Sequence, residues 1–281
     1  MRVISFLELV DRVKNACIQA NYRLDGKTLQ ALKDSKTTEK SDIGLYVLDE
    51  ILDNAQIAQD KEMPLCQDTG VSVFFVKWGS QCVLDTGTIQ SALNEAVQQG
   101  YEQGYLRKSI LKDPLFERTN TRTNTPAFVH LEQVEGDQVV IEFLAKGAGA
   151  DNCSRLAMLR PSDGMEGVKN FVLKVCREAG ADSCPPWILG IGIGGTFDTV
   201  GSLAKHALLR EIGSVHPHDM YAHLEKEILD EVNALGVGPQ GLGGTVSALA
   251  CFIEFNACHA ASLPVAVNMQ CHSNRKAKVV I

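Results

Sequence analysis

The stretch Met63–Gly70, "MPLCQDTG", sets a cysteine, an amide, a carboxylate and a hydroxyl side by side as Cys66, Gln67, Asp68 and Thr69. A turn needs only Pro64, Asp68 and Gly70, so Cys66 and Gln67 require a second explanation. Two further cysteines share this polar setting: Cys184 in "ADSCPPWILGIGIGG" and Cys271 in "VNMQCHSNRKAK". Thiolates favour zinc or iron–sulfur centres over hard cations such as magnesium. Three cysteines on a four-iron cluster leave one iron open to a substrate oxygen, as a Lewis acid, whereas four saturate it for electron transfer. The gaps between the three hold no compact CxxC pattern, so the spacing alone leaves both a ligand triad and three unrelated free thiols open. Cys17, Cys176, Cys251 and Cys258 lie in apolar patterns and are expected to be small core residues.

Other groups could work beside a metal. Asp68 adjoins Cys66, Arg107 follows a helical run in "GYLRKS", and His259 stands twelve positions before Cys271. Each taken alone is equally an ordinary turn aspartate, surface arginine or structural histidine, and Arg275 and Lys276 near the end read as solvent-facing. The run "GIGIGG" at 190–195 does not match the G-x-G-x-x-G dinucleotide fingerprint in its strand-turn-helix register. Tight turns, or a cradle of backbone amides for an anion, are the better readings. In "AKGAGADNCSRLAML", Gly147 and Gly149 precede a helix-like run whose terminal amides could face a carboxylate or simply cap.

The elements that must position these groups follow from hydrophobic periodicity. Residues 1–62 read as mainly helical, with "FLELVDRVKNACIQANYRL" and "SDIGLYVLDEILDNAQIAQDKE" placing apolar residues three and four apart, and Asp25-Gly26 separating early pieces. Residues 63–281 mix strands and helices. "GVSVFFVKWG" is a strand, and "TGTIQSALNEAVQQGYEQGYL" a helix capped by Thr86 or Thr88. The polar segment 113–136 reads as a loop or strand approach. "AFVHLEQV" and "QVVIEFLAKGAG" suggest a hairpin about Glu135-Gly136-Asp137, with a helix in "GMEGVKNFVLKVCREAGA". "PWILGIGIGG" is a buried strand, a helix starts near Thr199, and "MYAHLEKEILDEVNAL" is a helix stopping at Gly236. The apolar runs "TVSALACFIEF" and "LPVAVNMQCH" close a mixed α/β (α+β) chain, read as one catalytic domain over 1–281 with a helical N-terminal part.

Composition narrows the class. At 281 residues and 45% hydrophobic the chain can bury a substantial core, and its charge of -7 with acidic and basic residues intermixed disfavours nucleic-acid binding. The charged N-terminal run is no signal peptide, and no charge-free stretch is long enough to span a membrane. Nine cysteines, an odd number spread from Cys17 to Cys271, fit a reducing cytoplasm better than a disulfide scaffold.

Taken together, "CQDTG", "RTNTPA", "AKGAGADN", "CPPWILGIGIGG" and "NMQCHSNRKAK", in that order, resemble the class I fumarase and L(+)-tartrate dehydratase family of iron–sulfur hydro-lyases, in its alpha-type catalytic domain. The resemblance spans roughly residues 8–278. It implies a [4Fe–4S] cluster held by Cys66, Cys184 and Cys271, with the open iron facing a hydroxydiacid. It implies Asp68 and His259 as catalytic residues. Gln67, Asp68, Arg107, Gly147, Gly149 and His259 are implied to bind substrate. The activity implied is reversible hydration of fumarate to (S)-malate; the alternatives are L(+)-tartrate dehydration to oxaloacetate and hydration of mesaconate. An iron–sulfur electron carrier or sensor is the reading from another class. Family members complete the pocket with a swivelling domain, so a separate beta subunit is expected, in a heterodimer or heterotetramer.

Overall fold

A computed structural model describes all residues 1–281. In chain order the elements are β1 (Arg2–Ile4), α1 (Phe6–Tyr22), α2 (Gly26–Ser35), α3 (Asp42–Asp60), β2 (Val71–Gly79), β3 (Cys82–Leu84) and α4 (Ile89–Gln103). Then come β4 (Phe128–Val134), β5 (Val139–Lys146), α5 (Ala148–Asn152), β6 (Arg155–Leu159), α6 (Gly164–Ala179) and β7 (Trp187–Gly195). The last are α7 (Val200–Ala207), α8 (Asp219–Asn233), β8 (Ala248–Cys258), β9 (Leu263–Gln270) and β10 (Lys276–Val280). The fold is mixed α/β with a largely helical N-terminal region, and no helix is long and apolar enough to cross a membrane.

The chain divides into two compact units. The first comprises Met1–Asp25, Asn54–Ala148 and Arg275–Ile281, and the second Gly26–Asp53 and Gly149–Asn274.

In the first unit a four-stranded sheet runs β10-β5-β2-β4. The expected hairpin does not form. β4 and β5 are both strands, but β2 lies between them, parallel to β4 and antiparallel to β5. β2 carries "VSVFFV", rich in apolar and β-branched side chains, and that composition suits a central position paired along both edges. Phe74 of β2 and Phe143 of β5 are fully buried with ring centroids 5.3 Å apart, and burial contributes roughly 1.5–3 kcal/mol per such side chain. α1 begins where Ser5 Oγ accepts from Glu8 N, and it buries Leu9, Val10, Val13 and Cys17. α4 begins at Thr88, whose Oγ1 accepts from Ser91 N at 3.1 Å while Ser91 Oγ accepts from Thr88 N at 2.9 Å. That reciprocal box selects Thr88 over Thr86 as the cap.

The second unit is built on the sheet β6-β9-β7-β8. Its core joins Val172 and Cys176 of α6, Leu224 and Ile228 of α8, and Leu189 and Ile191 of β7. α7 covers the other face, over the alternate β7 residues Gly190 and Gly192. A Cβ on Gly190 would lie 2.1 Å from Ala204 O, and one on Gly192 2.3 Å from Val200 O. These two glycines therefore serve close helix–sheet packing, not an anion cradle. Gly194 and Gly195, at φ +85° and +69°, are not in a tight turn either: they end β7, where its register against β8 shifts. The helix-like run after Asn152 is instead strand β6, paired antiparallel to β9. Its position at the edge of β9 gives its backbone the partner that local propensity did not announce.

Candidate active site

The "CQDTG" turn lies in the first unit, immediately before β2. Three buried side chains hold its carbonyls. Arg275 Nη1 donates to Asp68 O at 2.6 Å, Tyr101 Oη lies 3.0 Å from Thr69 O and 3.1 Å from Gly70 O, and Asn124 Nδ2 donates to Gly70 O at 3.1 Å. Asn124 also accepts from Ser109 N at 2.7 Å, and Thr69 Oγ1 donates to Arg107 O at 3.1 Å. The segment carrying Arg107 is thus tied to the turn carrying Gln67 and Asp68. Asn124, at φ +57°, is the asparagine of "RTNTPA", and its bonds give that motif its structural purpose.

The Asp68 carboxylate is fixed at both oxygens: Oδ1 accepts from Gly70 N at 3.0 Å and Oδ2 from Ala148 N at 2.8 Å. The carboxylate faced by the "KGAG" amides is thus, in this chain, that of Asp68. Gly147 is buried beside it, while the exposed Gly149 belongs to the second unit, where a Cβ would meet Asp182 O at 2.8 Å. The Cys66 thiol donates to Gln67 Oε1 at 3.4 Å and its sulfur accepts from Asp68 N at 3.4 Å. Gln67 and Arg107 are exposed, and no carboxylate of the chain pairs with the Arg107 guanidinium. Arg275 overturns its solvent-facing expectation. It is 2% exposed, because β10 pairs with β5 and draws the residue before it inward.

In the second unit, antiparallel pairing of β7 with β9 sets Ile188 opposite Gln270, so Cys184, just before β7, and Cys271, just after β9, emerge at the same end of the sheet. His272 N donates to Cys184 O at 3.4 Å, and Gln240 N donates to Pro185 O at 2.8 Å. Cys184 itself sits at φ +53°, ψ +66°, a left-handed conformation that costs a side-chain-bearing residue on the order of 1–3 kcal/mol.

His259 is not at this end. β8 runs parallel to β7 and pairs Cys258 with Gly195, which puts the following His259 at the opposite end of the sheet. The separation from Cys184 and Cys271 is the length of β7, roughly 26 Å at about 3.3 Å per residue. The histidine the fold places beside Cys184 is His272, whose Nδ1 lies 3.2 Å from Cys184 O and 3.1 Å from Gln240 Nε2. Its adjacency to Cys271 was the available signal.

None of the nine cysteines forms a disulfide. Cys17, Cys176 and Cys251 are buried as expected, and burial pushes the Cys17 and Cys251 thiols well up and that of Cys176 to about 12, which keeps them protonated. Cys258 is exposed, against expectation, because β8 projects its last residues beyond the core. Cys66 and Cys271 are partly exposed and Cys184 exposed, so all three are reachable. Within either unit, no three His, Cys, Asp or Glu side chains converge as a metal-holding group. Donor chemistry nevertheless fits a thiolate-bound centre. Buried polar atoms without hydrogen-bond partners lie in residues flanking Cys184 and Cys271: Ser183 Oγ, Trp187 Nε1, both amide ends of Gln270, and Asn274 Oδ1.

The sequence matches the model of the family described as Fumarate hydratase (Fumerase) over residues 10–280. A protein of Methanocaldococcus jannaschii, carrying the provisional name L(+)-tartrate dehydratase subunit alpha, is 42% identical over 96% of both chains. The L(+)-tartrate dehydratase subunit alpha of Escherichia coli O157:H7 is 35% identical over 98% of this chain and 91% of its own length. That of Shigella sonnei is 34% identical with the same coverage.

Proposed function

The chain belongs to the fumarate hydratase (Fumerase) family, and on that premise we propose that it is the alpha subunit of a hydro-lyase for a C4 hydroxydiacid, with L(+)-tartrate as the favoured substrate. Membership makes it an enzyme of the fumarase and tartrate dehydratase type. The observation that carries the reading is the Asp68 carboxylate, held by the amides of Gly70 and Ala148 on a turn that also presents Cys66 and Gln67.

Dehydration takes a proton from one carbon of the diacid and hydroxide from its neighbour. From tartrate this leaves an enol, which tautomerises to oxaloacetate. Asp68 is the proposed acid/base. Each carboxylate oxygen accepts one amide hydrogen bond and keeps a lone pair for the substrate proton. Gln67 presents its amide to a hydroxyl, and the unpaired, exposed Arg107 offers charge to a carboxylate. Gly147 and Gly149 are proposed to let the chain approach the diacid closely at the backbone. Cys66, Cys184 and Cys271 are the proposed ligands of a [4Fe–4S] cluster, which supplies Lewis acidity to a leaving hydroxyl when bound. For His259 the resemblance alone gives support.

Tartrate stands ahead of the expected fumarate because the relatives that align over nearly their whole length are named for tartrate. Their designation as alpha subunits also supports a separate beta subunit for this chain. The description of the family supports fumarate and (S)-malate as the second reading. Comparison of kcat/KM for L(+)-tartrate, (S)-malate and mesaconate, with the cluster-loaded chain and its beta subunit under anaerobic conditions, tests the choice. Tartrate is expected to lead by about tenfold or more, within reach of a site that hydrogen-bonds the extra hydroxyl. Malate equal or better would return the assignment to fumarate hydratase.

A further inference from the structure

Of the three side chains that hold the carbonyls of the Asp68 turn, two are neutral. Tyr101 and Asn124 do this work as a phenol and an amide. Arg275 does it as a guanidinium, although it is 2% exposed and no carboxylate lies within ion-pair distance. Its Nη1 is shared between Asp68 O at 2.6 Å and Asn21 Oδ1 at 3.2 Å, and its buried Nε has no partner. An unpaired buried charge is expensive to maintain, so holding one carbonyl does not account for it.

Gly147 shows where the charge points. A Cβ at this residue would lie 3.2 Å from Asp68 Oδ2 and 3.4 Å from Arg275 Nη2. The missing side chain therefore leaves a gap with the aspartate carboxylate on one side and the guanidinium on the other. The backbone of Gly147 is not in the left-handed region, so this gap, and no conformational demand, is what glycine supplies here.

We infer that Arg275 is the positioning residue of Asp68. It fixes the backbone of the acid/base through the Asp68 carbonyl, and its guanidinium faces the carboxylate across the Gly147 gap. The inference rests on the proposed role of Asp68 and extends it to residues that do not touch substrate. Placement, not affinity, is what it controls. A displacement of about 1 Å at a reacting group can cost on the order of a hundredfold in rate.

The test uses the anaerobically assembled complex with the beta subunit and four variants: D68N, R275Q, R275K and G147A. R275Q is expected to lower kcat by about tenfold or more, with KM within about twofold of wild type, the signature of a lost transition-state interaction. R275K, which keeps the charge but not the planar guanidinium, is expected to recover part of kcat. G147A leaves both partners in place and intrudes between them, so it is expected to lower kcat at unchanged thermal stability and iron content. Should R275Q fail to fold, R275K and G147A decide. Wild-type kcat in both of these, with D68N inactive, overturns the role of Arg275 alone. A raised KM at unchanged kcat also overturns it, by making Arg275 a substrate ligand. Wild-type turnover in D68N overturns the role of Asp68 itself, and that of Arg275 with it.

Discussion

At the scale of single residues, burial sets some thiols apart from those that solvent can reach. Cys17, Cys176 and Cys251 are raised by burial, while Cys66, Cys184 and Cys271 are reachable. Replacing any one of the latter three by Ala is expected to reduce the iron and sulfide retained after anaerobic reconstitution from about four of each per chain, the content of one [4Fe–4S] cluster. C17A and C251A are expected to retain full content. Full retention in all three ligand variants would contradict the assignment. These three cysteines stand out in the sequence because each sits among polar residues at a turn or strand edge. Cys258 was misread, since its apolar string continues past the point where the core ends. The burial of Arg275 and the distance of His259 from Cys184 and Cys271 depend on the pairings of β10 with β5 and β8 with β7. Local sequence does not encode such pairings.

Among the elements, the second unit is held at one joint by a buried carboxylate. Glu39, 6% exposed between α2 and α3, accepts from the amides of Lys40, Ser41, Thr245 and Val246 at 2.8–3.0 Å. Burial pushes its carboxyl up, but the four amides outweigh this and hold it below the ordinary carboxylate range. A carboxyl lowered by folding adds stability that is complete above its unfolded value of about 4.3 and is lost as the pH falls through the folded value. E39Q is therefore expected to cost about 1–3 kcal/mol near neutral pH, the scale of hydrogen bonds to a charged group, with the difference from wild type shrinking below about pH 4. Denaturant unfolding across that range checks it, and a pH-independent difference would contradict it. Element types were largely legible from periodicity and caps, as in α1, α4, α6 and β7. Pairing was not: the β4–β5 hairpin failed because β2 takes the place between them, a long-range competition absent from either strand's own sequence.

For the whole molecule, the proposed site residues are drawn from both units. Asp68, Gln67, Arg107 and Cys66 belong to the first unit, and Cys184 and Cys271 to the second. This division was not legible as a boundary, since each unit is assembled from separated segments and no linker marks the crossings. The C-terminal "KAKVVI" supplies edge strand β10 to the first unit. A compact diacid with two negative charges calls for more cations than Arg107 alone, and a beta subunit that also excludes water would meet that demand. The most direct measurement is oxaloacetate formation from L(+)-tartrate by the anaerobically reconstituted chain, with and without the candidate beta subunit. The account predicts turnover only on mixing, abolished by C66A, C184A or C271A. Full turnover by this chain alone, or undiminished turnover in the three variants, would contradict it.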